Sequence, residues 1–126
     1  MTDSIRRLFD GVRDARGRDP AQSRTARLLQ AGPRKIAKKV AEEAAEVALE
    51  SAAGNRDEVI RESADLLYHL VVLWSEAGVD PKDIWAEMDR REKMYGIAEK
   101  IQKGALADGK RAAAPVASLA RRRRAR

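Results

Sequence analysis

Residues 33–78 read PRKIAKKVAEEAAEVALESAAGNRDEVIRESADLLYHLVVLWSEAG, and their reading decides the fold. Pro33 stands where proline is tolerated, at the first position of a helix, and the helical pattern runs from it to Ala53 with Gly54 as its stop. Asn55 is placed to cap a second helix, Glu58 three residues on completes a variant of the capping box, and the run Val59 to Ala77 ends at Gly78. A connection of a few residues between two long helices makes them antiparallel neighbours. At 100° per residue, Ile36, Val40, Ala44 and Val47 form the apolar stripe of the first helix. Val59, Leu66, Leu70, Leu73 and Trp74 form that of the second.

Outward from this hairpin the signals stay helical. Ile5, Leu8, Phe9 and Val12 recur at helical spacing in a segment ending near Arg16, and Ser23 can cap a short helix through Gln30 that Gly32 breaks. Asp80-Pro81 repeats the cap-then-proline start for a helix to about Lys93, with Ile84, Trp85 and Met88 as apolar contacts. Ala, Leu, Glu, Lys and Arg dominate, and the β-branched alternation of strands is missing. The expectation is an all-α helical bundle of long antiparallel helices. Leu66, Leu67, Leu70, Val71, Val72, Leu73 and Trp74 wrap more of their helix than one stripe can bury, so the bundle is expected to pack in an oligomer.

Composition limits the chemistry. A chain of 126 residues supports one core, and with no cysteine a metal must be held by oxygen or imidazole. No apolar run reaches the length of a membrane span and no signal peptide opens the chain, so the protein is expected to be cytoplasmic, without a membrane partner. The net charge of +6 resides in residues 104–126, where seven basic residues including Arg121 to Arg124 face Asp108 alone, leaving residues 1–103 neutral. Residues 1–103 therefore form the expected domain, and 104–126 a basic, mostly disordered tail. A neutral body, with no aromatic interleaved in the tail, argues against nucleic acid as the partner.

The carboxylates carry the functional signal. Glu43 and Glu46 lie at i,i+3 on the margin of the first apolar stripe, and Glu62 and Asp65 lie at the same spacing on the margin of the second. The turn at Gly54 folds these margins together. Two carboxylates about 5 Å apart repel by roughly 3 kcal/mol at an effective dielectric near 20, so a cluster of four calls for a cation. Magnesium, which takes oxygen ligands and combines a few carboxylates with substrate phosphates, fits such a set. Glutamate-rich helices also carry such pairs as solvated surface, and periodicity alone does not choose between the two. His69, one turn from Asp65, is read as a hydrogen-bonded packing residue rather than a base.

Lys38 to Val47 with its EExxE pattern, then Glu62 to Leu70 with ExxD, resembles the MazG-like all-α pyrophosphatases, and within them the phosphoribosyl-ATP pyrophosphatases of histidine biosynthesis. Ser23-Arg24-Thr25, Gly32-Pro33, Arg90-Arg91 and Gly96 to Lys100 extend the likeness over about residues 5–103. The resemblance implies magnesium-dependent hydrolysis of phosphoribosyl-ATP to phosphoribosyl-AMP and pyrophosphate, in a homodimer or higher oligomer. It implies metal ligation by Glu43, Glu46, Glu62 and Asp65, and a catalytic part for Glu42 and Glu43. Arg34, Lys38 and Lys39, just N-terminal to the acids, are candidates for the substrate phosphates. Arg24, Ala41 and Tyr95 depart from the family pattern, which has a tyrosine, a glycine and a serine there. Action on another nucleoside triphosphate, or a non-catalytic helical module using the arginine tail, are the alternatives.

Overall fold

The computed structural model describes residues 3–105, with side chains through Gly96. Five helices follow one another: α1 (Ser4–Ala15), α2 (Arg24–Ala31), α3 (Pro33–Ala52), α4 (Arg56–Ala77) and α5 (Pro81–Ala105). No strand occurs among the described residues, as the composition requires. The basic segment beyond Ala105 lies outside the described residues.

Residues up to Ile84 pack as one unit. Its centre is the α3–α4 hairpin, closed by the three residues 53–55, and a connection that short forces the two helices antiparallel. The three glycines that punctuate the hairpin all have positive φ: Gly32 at 95°, Gly54 at 77° and Gly78 at 72°. Such backbone strains any residue with a Cβ, so these positions end helices by conformation rather than by charge.

The core gathers at one end of the hairpin. Phe9 and Val12 of α1, Leu29 of α2, Ile36 of α3 and Val71 and Val72 of α4 form one buried cluster, bordered by Ile5, Leu8, Leu28, Tyr68, Leu73 and Trp74. Burial on α4 thus falls elsewhere than on the expected stripe. Leu66, Leu70, Leu73 and Trp74 are half-buried, while Val71 and Val72 are covered completely. The cause is α1, which packs on a flank of α4 that a one-stripe reading turns outward. On α3 only Ile36 is fully buried, and Ala44, expected in the stripe, is exposed. Towards the turn the hairpin is thinly covered, and Leu49, Ile60 and Leu67 are exposed.

Local caps explain the starts. Asp3 accepts from Arg6 N at 2.9 Å and Ser23 from Ala26 N at 3.1 Å. At α5, Asp80 Oδ1 accepts from Lys82 N at 2.9 Å while Asp83 reaches back to Asp80 N at 3.1 Å, a reciprocal box. The capping box expected at Asn55 and Glu58 does not form. The Asn55 amide donates back to Glu50 at 2.7 Å, and Glu58 is taken by Arg61. The Arg6 guanidinium holds Asp80 in a two-pronged ion pair, closing the end of the unit.

From Trp85 onward α5 belongs to a second unit and runs past the expected end at Lys93 to Ala105. Gly96 sits within it, tolerated among strong helix formers such as Glu, Lys and Ala. Within this segment Glu87 accepts from both Arg90 and Arg91, at 2.7 and 2.8 Å, a pattern that i,i+3 and i,i+4 spacing permits.

Candidate metal centre

The hairpin brings the expected acids together. Glu43 from α3 and Glu62 and Asp65 from α4 each offer a carboxylate oxygen, and these oxygens all lie within 4.8 Å of one another. Glu43 and Glu62 are half-buried and Asp65 is exposed, so the group has a covered floor and an open side. Glu46 is outside this close trio and exposed, yet its carboxylate acts directly on Glu62.

Glu62 bears the strain of the arrangement. Its proton is held by sharing with Glu46, by burial and by the negative charges of Glu46 and Glu43, and its pKa is pushed up to about 7. Oε2 of Glu43 and Oε2 of Glu62 are buried without any hydrogen-bond partner. Two buried, unpartnered acceptors facing each other's charge are a costly combination unless a cation meets them. An all-oxygen set open on one side suits a hard divalent ion that retains sites for water and phosphate.

The surrounding candidates divide. Glu42, adjacent to Glu43 in sequence, is exposed and carries two loose ion pairs, to Lys38 at 3.9 Å and to Lys39 at 3.8 Å. These pairs join the expected phosphate-binding lysines to the acid expected to assist catalysis. Arg34 is exposed one turn before Lys38. His69 is buried at 2% exposure, and its Nδ1 donates to the main-chain carbonyl of Asp65 at 2.8 Å, as suits a packing residue that fixes the backbone beneath an acid. Its ring also meets Tyr68 edge-on, with centroids 5.0 Å apart.

One arrangement had no signal in the sequence. Tyr68, one turn beyond Asp65, bonds through its hydroxyl to Thr25 Oγ1 at 2.7 Å, and the Arg24 guanidinium lies 5.3 Å from the centre of its ring. These pairings join residues more than forty positions apart, which periodicity cannot register. Arg24 and Thr25 could be singled out only as members of the Ser23-Arg24-Thr25 landmark.

Residues 5–92, which hold all the acids and bases of the site, match the family model described as phosphoribosyl-ATP pyrophosphohydrolase. The chain belongs to that family. Among its relatives, a phosphoribosyl-ATP pyrophosphatase 2 of Bradyrhizobium diazoefficiens is 60% identical over 106 residues, covering 84% of this chain and 79% of the relative. A protein of the same name from Rhodopseudomonas palustris is 62% identical over 103 residues, covering 82% and 79%. A phosphoribosyl-ATP pyrophosphatase of Gluconobacter oxydans is 54% identical over 96 residues, covering 76% and 72%. In this phosphoribosyl-ATP pyrophosphohydrolase family member, the match to the family model ends at residue 92, within α5.

Proposed function

We propose that this chain hydrolyses phosphoribosyl-ATP to phosphoribosyl-AMP and pyrophosphate, a step of histidine biosynthesis, using magnesium held by Glu43, Glu46, Glu62 and Asp65. The observation that carries this reading is the convergence of Glu43, Glu62 and Asp65 to within 4.8 Å, with orphaned oxygens on two of them, inside a chain of this family. Magnesium held there would neutralise the acids and the substrate's polyphosphate and polarise the phosphorus under attack.

The chain's own residues do the rest. Glu43, Glu62 and Asp65 would hold the ion that receives the phosphates, and Glu46 completes the negative rim beside Glu62. Lys38 and Lys39 exchange their long contacts with Glu42 for substrate phosphates, at little cost, because exposed ion pairs of this kind are weak. Arg34 adds a third cation on the same approach. Glu42, released from its lysines, accepts at a carboxylate oxygen the proton lost by the attacking water, with Glu43 as the alternative acceptor. The bond between the α and β phosphates then breaks, and pyrophosphate leaves.

The exposed Leu49, Ile60 and Leu67 on the outer hairpin support the further reading that a second copy covers it, giving a homodimer or higher oligomer. No helix among the described residues is long and apolar enough to cross a membrane, which fits a cytoplasmic setting for the reaction.

The test is an assay of purified protein with magnesium, following pyrophosphate and phosphoribosyl-AMP. Glu43→Gln and Asp65→Asn are expected to lose at least about a hundredfold in kcat, the scale for removing electrostatic stabilisation of a transition state. Full activity in both variants would remove the metal assignment. Turnover of another nucleoside triphosphate in place of phosphoribosyl-ATP would redirect the substrate.

A further inference from the structure

Arg24 meets an aromatic face where several other cations of the hairpin unit meet carboxylates. Arg6, Arg16 and Arg61 each hold a carboxylate, and Lys38 and Lys39 share Glu42. The contact described for Arg24 is with an aromatic face: its guanidinium lies over Tyr68 at 5.3 Å from the ring centre, and it meets no carboxylate among the described residues. A guanidinium drawn to a ring face by its charge keeps N–H donors for a further acceptor. That contact also reduces the freedom that an exposed arginine loses on binding a ligand.

The platform beneath it is fixed relative to the acids. Tyr68 is half-buried, and its hydroxyl is tied to Thr25 Oγ1 at 2.7 Å, so the ring is held at both ends. It follows Asp65 by three residues on α4, about 4.5 Å further along the helix axis. Asp65 itself is pinned through its carbonyl by buried His69. Arg24 is thus a pre-oriented, unneutralised fork mounted one helical turn beyond a site acid, on the side where α2 meets α4.

We infer that Arg24 binds a phosphate of the nucleotide away from the bond that breaks, so that its contact determines affinity for the substrate without entering the chemical step. The inference rests on the reaction proposed above. It makes the residue that departs from the family's tyrosine a phosphate-binding residue of this chain.

The experiment compares full-length wild type, Arg24→Met and Arg24→Lys with phosphoribosyl-ATP and magnesium, and measures inhibition by phosphoribosyl-AMP and by pyrophosphate separately. Arg24→Met is expected to raise KM about tenfold, the scale of one charge-assisted hydrogen bond, with kcat within about twofold. Arg24→Lys is expected to recover part of the loss, and added salt to raise the KM of wild type more steeply than that of Arg24→Met. Weaker inhibition by phosphoribosyl-AMP places the contact on the phosphoribosyl side, and weaker inhibition by pyrophosphate places it on the leaving side. Unchanged KM and unchanged inhibition by both products in Arg24→Met, alongside an active wild type, overturns the inference alone. A wild type that does not turn over phosphoribosyl-ATP overturns the underlying reaction with it.

Discussion

His69 donates from Nδ1 to the carbonyl oxygen of Asp65 at 2.8 Å, so a buried ring braces the main chain directly beneath an acid of the candidate metal centre. The ring does not need to touch substrate to matter. His69→Ala leaves a cavity on the buried face of α4 beside Tyr68, and His69→Leu fills the space but removes the donor. We expect His69→Ala to lower unfolding free energy by about 2–4 kcal/mol in urea titration, the range for a large truncation in a core. Below its melting temperature the variant should retain kcat within about tenfold.

Glu62 links the acid cluster to stability. Its folded pKa of about 7 lies above the ordinary glutamate value, so the metal-free native state binds a proton more readily than the unfolded chain. The resulting stability is complete below pH 4.5 and is lost as pH rises to 7 and beyond. Melting temperatures of metal-free protein should therefore fall across that window, and Glu62→Gln should flatten the fall. At pH 8 the variant is expected to melt higher than wild type without metal, and to show less of the rise that magnesium produces in wild type. A variant less stable than wild type at pH 8 would count against the cluster as a source of repulsion.

Asp80 titrates in the opposite sense. The Arg6 guanidinium, helped by the Lys82 backbone N–H, holds its carboxylate down to about 2. A depressed folded pKa contributes stability above the unfolded value near 4, lost as pH falls from there to 2. Asp80→Asn should be less stable than wild type at pH 7, and the difference should shrink by pH 2 in circular-dichroism melts. Because asparagine keeps the Oδ1 acceptor that caps α5, a constant difference across that range would place its cause outside the ion pair.

Ile36 is the one fully buried residue of α3, at 0% exposure, and anchors the helix that supplies Glu43. Ile36→Ala is expected to cost about 2–5 kcal/mol by denaturant unfolding. Because the acids lie further along the hairpin, kcat of the folded variant should remain within a few-fold of wild type.

Helix limits were legible because Gly32, Gly54 and Gly78 each require positive φ, a local property that a sequence displays openly. The convergence of Glu43 with Glu62 and Asp65 was legible because i,i+3 spacing and a short turn determine it together. The identity of the buried face of α4 was not. Val71 and Val72 are covered by α1, whose docking is a tertiary fact that no single-helix stripe contains. Asn55 likewise reads as a cap, but the same amide reaches Glu50, and residue type alone does not choose between those partners. The position of Arg24 over Tyr68 depends on α2 meeting α4 and lay beyond any periodicity.

The three residues at 53–55 also act as a gauge for the chemistry. Glu43 precedes that turn and Glu62 follows it, so the two carboxylates face each other only at one count of intervening residues. One residue added between Asn55 and Glu62 would advance the second pair of acids by about 1.5 Å and swing it by about 100° around its axis. The hairpin can drift in sequence at almost every exposed position, but its length between the two acid pairs is set by the few ångströms across which their carboxylates meet.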